Sequence, residues 1–592
     1  MRYSVFVAAT LVAWIHASTG SAFVSFEDLG FLHPDAGSDT RYVDDAVDFA
    51  TDGAGNWVVA TTGPYVSISS DNGVTWSVPS LVLPGGGAPM IWAYEPHVVT
   101  DNAGTWLLVW AEDPDSHGGL DGEVWISRSI DNGTTWSAGV QFASNAGTDL
   151  ENDSRPRIAT DGGGNWMAVW FTTDPVNGDA DLMFTTSIDN GTTWSPVDWV
   201  DPLAPFESQD DNMPDVATDG AGVWIIAYNN NPTGNSTGRS RMRRSGDFGA
   251  TWAAPIQVGT NLGVGALDIE SSGPGVFASV YAGLNAVVSR TGDGGLTWTS
   301  VPVSGPLLSA QHRAHIATDG VGGWVAVWTT NSDPDGTVGP DADVAMSRSS
   351  DDADNWTSPT FLNLDAGTDD PDWQNDEWPG IGTDGAGTWI VGWRRESLPD
   401  ETDQDILIAR SDPICPLARR NDCLVPGAVG KGLLAIVNST EDEKDLMTIK
   451  LGSLGDTDKA NFGDPVGGDG LALCQWDAIG GVDRLITQLH LFGGGTCNGK
   501  PCWKETTPGY VYKDALNENG AMTKGSFKAG TGGKAKLKIQ AKGLRVGMPV
   551  TPLALESSTA IQVISLATNV CWGGSFSSPS KNEFDTFKAK SD

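Results

Sequence analysis

No lysine precedes Lys431 in this 592-residue chain; every fully charged basic residue before it is an arginine. Cysteine is missing from residues 1–414, and all six lie in the tail, at Cys415, Cys423, Cys474, Cys497, Cys502 and Cys571. Tryptophan is nearly missing from the other end, with only Trp476, Trp503 and Trp572 in the tail. Two composition regimes of this kind predict two domains, with a boundary near Asp412. No C-x-x-C pair or nearby His cluster supports a zinc site. Six cysteines in an exported chain therefore imply disulfides. Fifteen pairings are open to six cysteines. Proximity in sequence favours Cys415–Cys423 and Cys497–Cys502, which leaves Cys474–Cys571.

Long apolar runs are also missing. After Met1–Ala22 nothing approaches the ~20 apolar residues of a membrane span. That first segment has a charged n-region at Arg2, an apolar core over Tyr3–Trp14 and the small residues Gly20, Ser21 and Ala22. It reads as a signal peptide. A soluble protein, secreted or held at the cell surface, is expected. Positive charge is short as well: the formal net charge is −40, carried almost wholly by the residues before the boundary. Such acidity argues against a nucleic-acid partner.

What the chain has in abundance is repetition. An eight-residue phrase, S/T-x-D-x-G-x-T-W, occurs at Ser69–Trp76, Ser129–Trp136, Ser187–Trp194, Ser245–Trp252 and Thr291–Trp298, with a decayed copy at Ser349–Trp356. Asp and Ser side chains can bond nearby backbone N–H groups, glycine supplies a positive φ, and tryptophan packs beneath the turn. A second phrase, I/V-A-T-D-G-x-G-x-W, runs out of phase with the first. Its copies start at Asp48, His97, Arg157, Asp215, His315 and Gly380, with a weaker one at Asp268. Each is a hairpin signature. The unit is strand, DG turn, strand, loop, strand, eight-residue turn, strand, which is a propeller blade. Seven units predict seven blades, or six if the unit at Asp268 is an insertion. The last unit lacks its fourth strand, and Phe23–Pro34 is expected to supply it. The tail reads as all-β, from runs such as Leu433–Val437, Arg484–Phe492, Ala535–Ala541 and Ile561–Trp572.

The eight-residue phrase resembles the Asp box of sialidases and other bacterial-neuraminidase-repeat propellers. The resemblance implies an all-β, sialidase-like propeller over 23–412. The segment 413–592, a disulfide-containing and β-sandwich-like module, is similar to C-terminal modules of secreted myxobacterial-type proteins. An adhesion, binding or sorting role is expected for it. For the propeller the resemblance implies a glycan or glycoprotein ligand, taken by a monomer, and exo-α-sialidase chemistry. Three arginines would hold the sugar carboxylate, a tyrosine activated by a glutamate would attack, and an aspartate would act as acid/base. The alternatives are a non-catalytic carbohydrate- or protein-binding propeller and another Asp-box glycoside hydrolase using two acidic residues.

Candidate residues sit where the innermost strands begin. The position three before each TD pair gives Asp48, His97, Arg157, Asp215, Asp268, His315 and Gly380. Two residues earlier stand Glu95, Arg155, Met213, Arg313 and Trp378. An apolar core has no use for such a ring, because burying unpaired charge is costly. Arg155, Arg157 and Arg313 form an anionic-ligand candidate, with Glu95 and Asp48 as acid/base groups and Tyr94 beside them. A solvated channel with structural ion pairs is the other reading. His97, Asp215, His315 and Arg394 complete the ligand-binding set. The family's Phe-Arg-Ile-Pro entry motif is absent, and Arg41 stands at a comparable place. Tyr42, Tyr65, Tyr94, Tyr228 and Tyr281 are the only tyrosines of the mature propeller region. Aromatics ending the second strands, Trp110, Trp170, Tyr228, Tyr281, Trp328 and Trp393, could stack on sugars or pack between blades. Acidic loops such as Glu112–Glu123 and Asn331–Asp343 make Ca²⁺ the one ion to test for; none has EF-hand spacing.

Overall fold

The structure is a computed structural model. It describes residues 26–32, 47–82, 93–112, 122–142, 152–173, 178–204, 209–232, 238–259, 267–283, 285–304, 311–320, 322–331, 342–349, 352–357, 359–362, 375–385, 387–396, 404–411, 415–416, 419–438, 444–479, 482–515, 522–542, 553, 558–583 and 585–592. The signal-peptide reading at Met1–Ala22 lies outside them. No helix among the described residues is long and apolar enough to cross a membrane.

The described residues between 26 and 411 form seven four-stranded antiparallel sheets arranged as a β-propeller. The innermost strands are Val47–Thr51, Ala93–Thr100, Asn152–Thr160, Gln209–Thr218, Leu267–Gly273, Gln311–Thr318 and Asp376–Thr383. Each packs beside the next, and Asp376–Thr383 packs beside Val47–Thr51. One apolar cluster fills each junction between consecutive sheets. Val58 and Ala60 meet Trp106 and Leu108 between the first and second; Trp57 and Val59 meet Ile390 and Ile408 between the last and first. The second strands are therefore covered on both faces, and Trp57–Thr61, Trp106–Glu112 and Trp324–Thr330 are buried throughout. This explains why they read as unbroken apolar runs rather than as alternating ones. The aromatics that end them, among them Trp110, Trp170, Trp328 and Trp393, have no exposed surface. They are packing residues, not sugar platforms.

One expectation at the ends of the repeat is met. Glu27–Phe31 pairs antiparallel with Gln404–Ser411 and completes the last sheet. The weak unit at Asp268 makes a full sheet of its own, from Leu267–Gly273 to Thr299–Pro302.

The eight-residue turns owe their shape to side chains. In the first, Asp71 Oδ1 accepts from the Thr75 N–H at 2.9 Å and its Oδ2 from the Thr75 hydroxyl at 2.6 Å, while Ser69 Oγ accepts from the Gly73 N–H at 2.9 Å. Gly73 has φ +79°, and a Cβ there would stand 2.2 Å from Ile390 Cδ1 of the neighbouring sheet. The glycine thus serves both the turn and a close approach. The same position in the decayed copy is Ala353, at φ 63°. The side chain it would meet belongs to the second residue of the preceding sheet's second strand. There the chain has Ala278, where other units have Val58, Leu107, Met167, Ile225 and Ile390. Ala278 and Ala353 share one buried cluster. The small residue makes room for the extra methyl.

The tail is a β-sandwich. A large mixed-order sheet runs Trp503–Thr506, Gly509–Lys513, Met522–Lys528, Ala535–Lys542, Leu446–Leu454, Gly432–Val437, Thr586–Lys590, Pro579–Glu583. It faces a second sheet built from Val482–Leu491, Leu471–Ile479, Thr559–Ser565 and Cys571–Phe576. Leu434, Ile449 and Ile539 of one meet Leu473, Ile561 and Val563 of the other in a single core. The disulfides are Cys415–Cys474, Cys423–Cys571 and Cys497–Cys502. The pairings of Cys415 with Cys423 and of Cys474 with Cys571 expected from proximity are corrected: Cys415 and Cys423 each bond a strand of the smaller sheet instead.

Candidate functional site

The innermost strands surround a cavity of about 320 Å³, lined by Asp48, His97, Arg157, Asp215, Asp268, Glu270 and His315 among others. Strand alternation puts the residues three before each TD pair on this inner face. Their side chains reach sideways to the next strand. Asp48 Oδ2 accepts from Val98 N–H at 2.7 Å, and Asp215 Oδ2 from Ile269 N–H at 2.7 Å. Asp268 Oδ2 accepts from Ile316 N–H at 2.6 Å, and His97 Nδ1 from Ile158 N–H at 3.2 Å. Four members of the ring are therefore latches that satisfy a backbone donor of the neighbouring sheet. At the closing junction Gly380 has no side chain, and a Cβ there would lie 2.2 Å from the Val47 carbonyl oxygen.

The electrostatics follow from this geometry. His97 Nδ1 can accept only as neutral imidazole, with Nε2 3.8 Å from Asp48 Oδ2. Burial, with Arg157 and His315 adding to it against the pull of Asp48 and Asp268, lowers the His97 pKa to about 4. Burial and the adjoining Asp268 carboxylate push Asp215 well above the usual range. Asp268 is pushed up by burial, but His315 Nδ1 at 3.5 Å, together with hydrogen bonds from Asp215 and the Ile316 N–H, outweighs this and holds the group low. One ring deeper, Glu270 stands where the other units have Ala50, Val99, Ala159, Ala217, Ala317 and Gly382. Its surface faces the channel, and desolvation there, with Asp268 beside it, raises its pKa to about 8.

The mouth is built differently. In five of the innermost strands the ladder slips just ahead of the ring position, between Tyr94/His97, Ser154/Arg157, Asn212/Asp215, Gln311/Ala314 and Glu377/Gly380. Four residues in these bulges adopt left-handed backbone: Glu95 (φ 55°), Arg155 (φ 55°), Met213 (φ 51°) and Trp378 (φ 58°). Each is followed by proline, which lacks the N–H that a broken ladder would leave unpaired. Bulges re-aim side chains, and non-glycine residues in this region mark sites that the surrounding fold over-determines.

The bulges bring one cluster together. Glu95 Oε1 lies 3.0 Å from Arg155 Nε and 2.6 Å from Arg313 Nη2. The Arg313 guanidinium sits 4.3 Å over the Trp378 ring, and that of Arg394 sits 5.2 Å from the same ring. Arg394 Nη2 bonds Glu377 Oε2 at 2.6 Å. Arg395 grips Asp376 with two bonds at 2.7 and 2.6 Å. Arg155 is the most open of the three clustered arginines, with a quarter of its side chain accessible (25%).

The structure thus gathers Glu95, Arg155, Arg313 and Arg394 at the mouth. It places Asp48, His97, Asp215 and His315 in the channel, where Arg157 donates from Nη1 to the Pro156 carbonyl at 2.9 Å. Tyr94 has its backbone in the second innermost strand; its side chain, like Arg41 and Tyr42, lies outside the described residues. Trp378 has a place in the expected ring but no assigned role, and Glu377 is not among the expected site residues. The signal for them was the recurring x-Pro pair, which marks the bulge in four units. The acidic loops proposed for Ca²⁺ lie largely outside the described residues, within which no group of three or more His, Cys, Asp or Glu could hold a metal ion.

No family model matches the chain, and no curated protein is significantly similar to it. Among solved structures, a Hadza microbial sialidase is similar at 17% identity, over 60% of this chain and 73% of that one, with a TM-score of 0.38. An α-L-arabinofuranosidase from Fusarium graminearum is similar at 16% identity, over 55% and 97%, with a TM-score of 0.40. YCF48 from Cyanidioschyzon merolae is similar at 13%, over 65% and 98%, with a TM-score of 0.38. At these values what this chain binds must be argued from its own mouth residues.

Proposed function

We propose that this is a secreted glycan-binding propeller whose site is the channel mouth and whose ligand carries a carboxylate. The observation that supports this most is the cluster in which Arg313 and Arg394 lie against Trp378 and Arg155 joins Arg313 through Glu95, with Glu95, Arg155 and Trp378 on left-handed bulges. A planar guanidinium holds a carboxylate through two parallel hydrogen bonds, and an indole offers an apolar face to a sugar ring. The eight-residue turns, read as Asp boxes, add the resemblance to sialidase-type propellers. In this reading 23–412 is the ligand-binding domain, exported by the segment 1–22, and 413–592 is an accessory module.

A second reading, hydrolysis of sialosides, is favoured by the sequence pair Tyr94-Glu95 at the mouth. Glu95 would activate Tyr94 as nucleophile while the arginines hold the sugar carboxylate. Binding is preferred because Arg155 and Arg313 both hold the Glu95 carboxylate. Titration of sialyllactose into the mature protein tests this, with Arg313→Lys and Arg313→Ala alongside. Loss of a charge-assisted contact worth about 1.5–3 kcal/mol should weaken binding by about ten-fold or more in Arg313→Ala. Equal affinity in wild type and Arg313→Ala would refute the site. Release of fluorophore from a fluorogenic sialoside, abolished by Glu95→Gln, would move the weight to the hydrolase.

A further inference from the structure

The larger sheet of the tail presents a face that neither the channel nor its ligand uses. Apart from Glu505 and Glu583, every charged side chain in its eight strands is a lysine. Glu505 pairs with Lys459, and Glu583 with Lys581 at 3.2 Å. The alternation is strict: in Ala535–Lys542 the even positions Lys536 and Lys538 are exposed while Ala535, Leu537 and Ile539 are buried. The lysines do not merely share a face; they stand opposite one another. Lys513 faces Lys524, Lys528 faces Lys536, and Lys538 faces Lys450 across adjacent strands. All six are exposed.

Like charges directly opposite on a sheet are destabilising. A sheet shaped only for solubility would intersperse acids, which are cheap to place at exposed strand positions. The propeller half of the same chain is strongly acidic, so the cations are not a general habit of the sequence. We propose that this face binds a linear polyanionic polysaccharide, one whose carboxylate or sulfate groups recur along the chain. Neighbouring strands lie about 4.8 Å apart, so cations recur at close and regular intervals across four consecutive strands. A polymer with repeating anions can engage many of them at once, whereas a single small anion gains little from any one solvated lysine. Exposed aromatic rings, the stacking platforms of single-stranded nucleic-acid binders, are missing from the face: its other described positions include Val511, Ser526, Gln540 and Thr448. Three disulfides place the module among proteins of oxidising, extracellular surroundings, where such polysaccharides occur.

Affinity electrophoresis of the full-length protein through gels containing polygalacturonate tests this, with neutral dextran as the control. The wild type should be retarded by polygalacturonate alone, and the retardation should fall as salt is raised, since exposed charges are screened. Lys450→Gln/Lys524→Gln/Lys538→Gln should weaken it by about ten-fold or more, with an unchanged or raised melting temperature as repulsion is relieved. Arg313→Ala, which removes only a carboxylate contact at the mouth, should lose far less of the retardation than the lysine variant does. Loss in Arg313→Ala with retention in the lysine variant would put the polymer at the channel mouth and overturn the proposal. So would tighter binding of duplex DNA than of polygalacturonate. Self-association at low salt that the lysine variant abolishes, without retardation by polygalacturonate, would identify the acidic propeller of a second copy as the occupant and equally overturn it.

Discussion

At the scale of single residues, the channel ring divides into groups that hold the fold and groups that the proposed function assigns to a ligand. His97 belongs to the first kind: its Nδ1 takes a backbone N–H from the next sheet. The native state keeps it neutral down to about pH 4, whereas an imidazole in the unfolded chain protonates near pH 6.5. Between those values the unfolded chain binds the extra proton, so stability falls as pH falls. The contribution is full above about pH 6.5 and gone near pH 4, and it amounts to no more than about 3 kcal/mol. The charged groups facing it are Asp48, Arg157, Asp268 and His315. Glu270, with its raised pKa, titrates in the opposite sense and is common to both proteins compared. Urea unfolding at pH 7.5 and pH 5 should therefore show a smaller loss for His97→Gln than for the wild type. Equal losses would mean the imidazole carries no such linkage.

At the scale of elements, the account turns on how a turn in one sheet locks onto the strand before it. Gly73, Gly133, Gly191, Gly249 and Gly295 all have positive φ and all approach a side chain of the preceding sheet. Ala353 breaks the rule, and Ala278 opposite it compensates. Ala278→Ile should then destabilise the protein by about 1–3 kcal/mol through overpacking. Adding Ala353→Gly should recover most of that loss, so the two changes should be non-additive in a thermal double-mutant cycle. Strict additivity would contradict the pairing. This element was half legible in sequence. The eight-residue phrase announces the turn and its hydrogen bonds, because those are local. Its partner lies in another unit, and nothing within eight residues points to it. The same limit explains the disulfides: Cys415 and Cys423 are close in sequence, but the strands that carry Cys474 and Cys571 come closer to them in space. The bulges were also hidden, because x-Pro at a strand start does not by itself say that Glu95, Arg155 and Trp378 turn to the left-handed region.

At the scale of the whole molecule, the repeats carried nearly all of the fold. Two phrases out of phase fixed four strands per unit, and the missing last strand pointed to the N-terminal segment that pairs there. The candidate site was legible only as a set of positions. Counting back from each TD pair found Glu95, Arg155 and Arg313, but grouped them with Asp48 and His97, which serve the fold. Charge is distributed on the same large scale. The acidic propeller narrows to a cationic cluster at its mouth, and the tail turns a lysine-covered sheet outward. Each is a local exception to a chain of net charge −40. Exceptions of that kind are where the local rules of a fold give way to binding.

The most direct test of the central claim is an array of short oligosaccharides, too short to span the lysine face, probed with the mature wild-type protein and with Arg313→Ala. The account predicts signal confined to carboxylate-bearing glycans and lost in the variant. Binding of neutral glycans at equal strength, or a variant that binds as the wild type does, would contradict it.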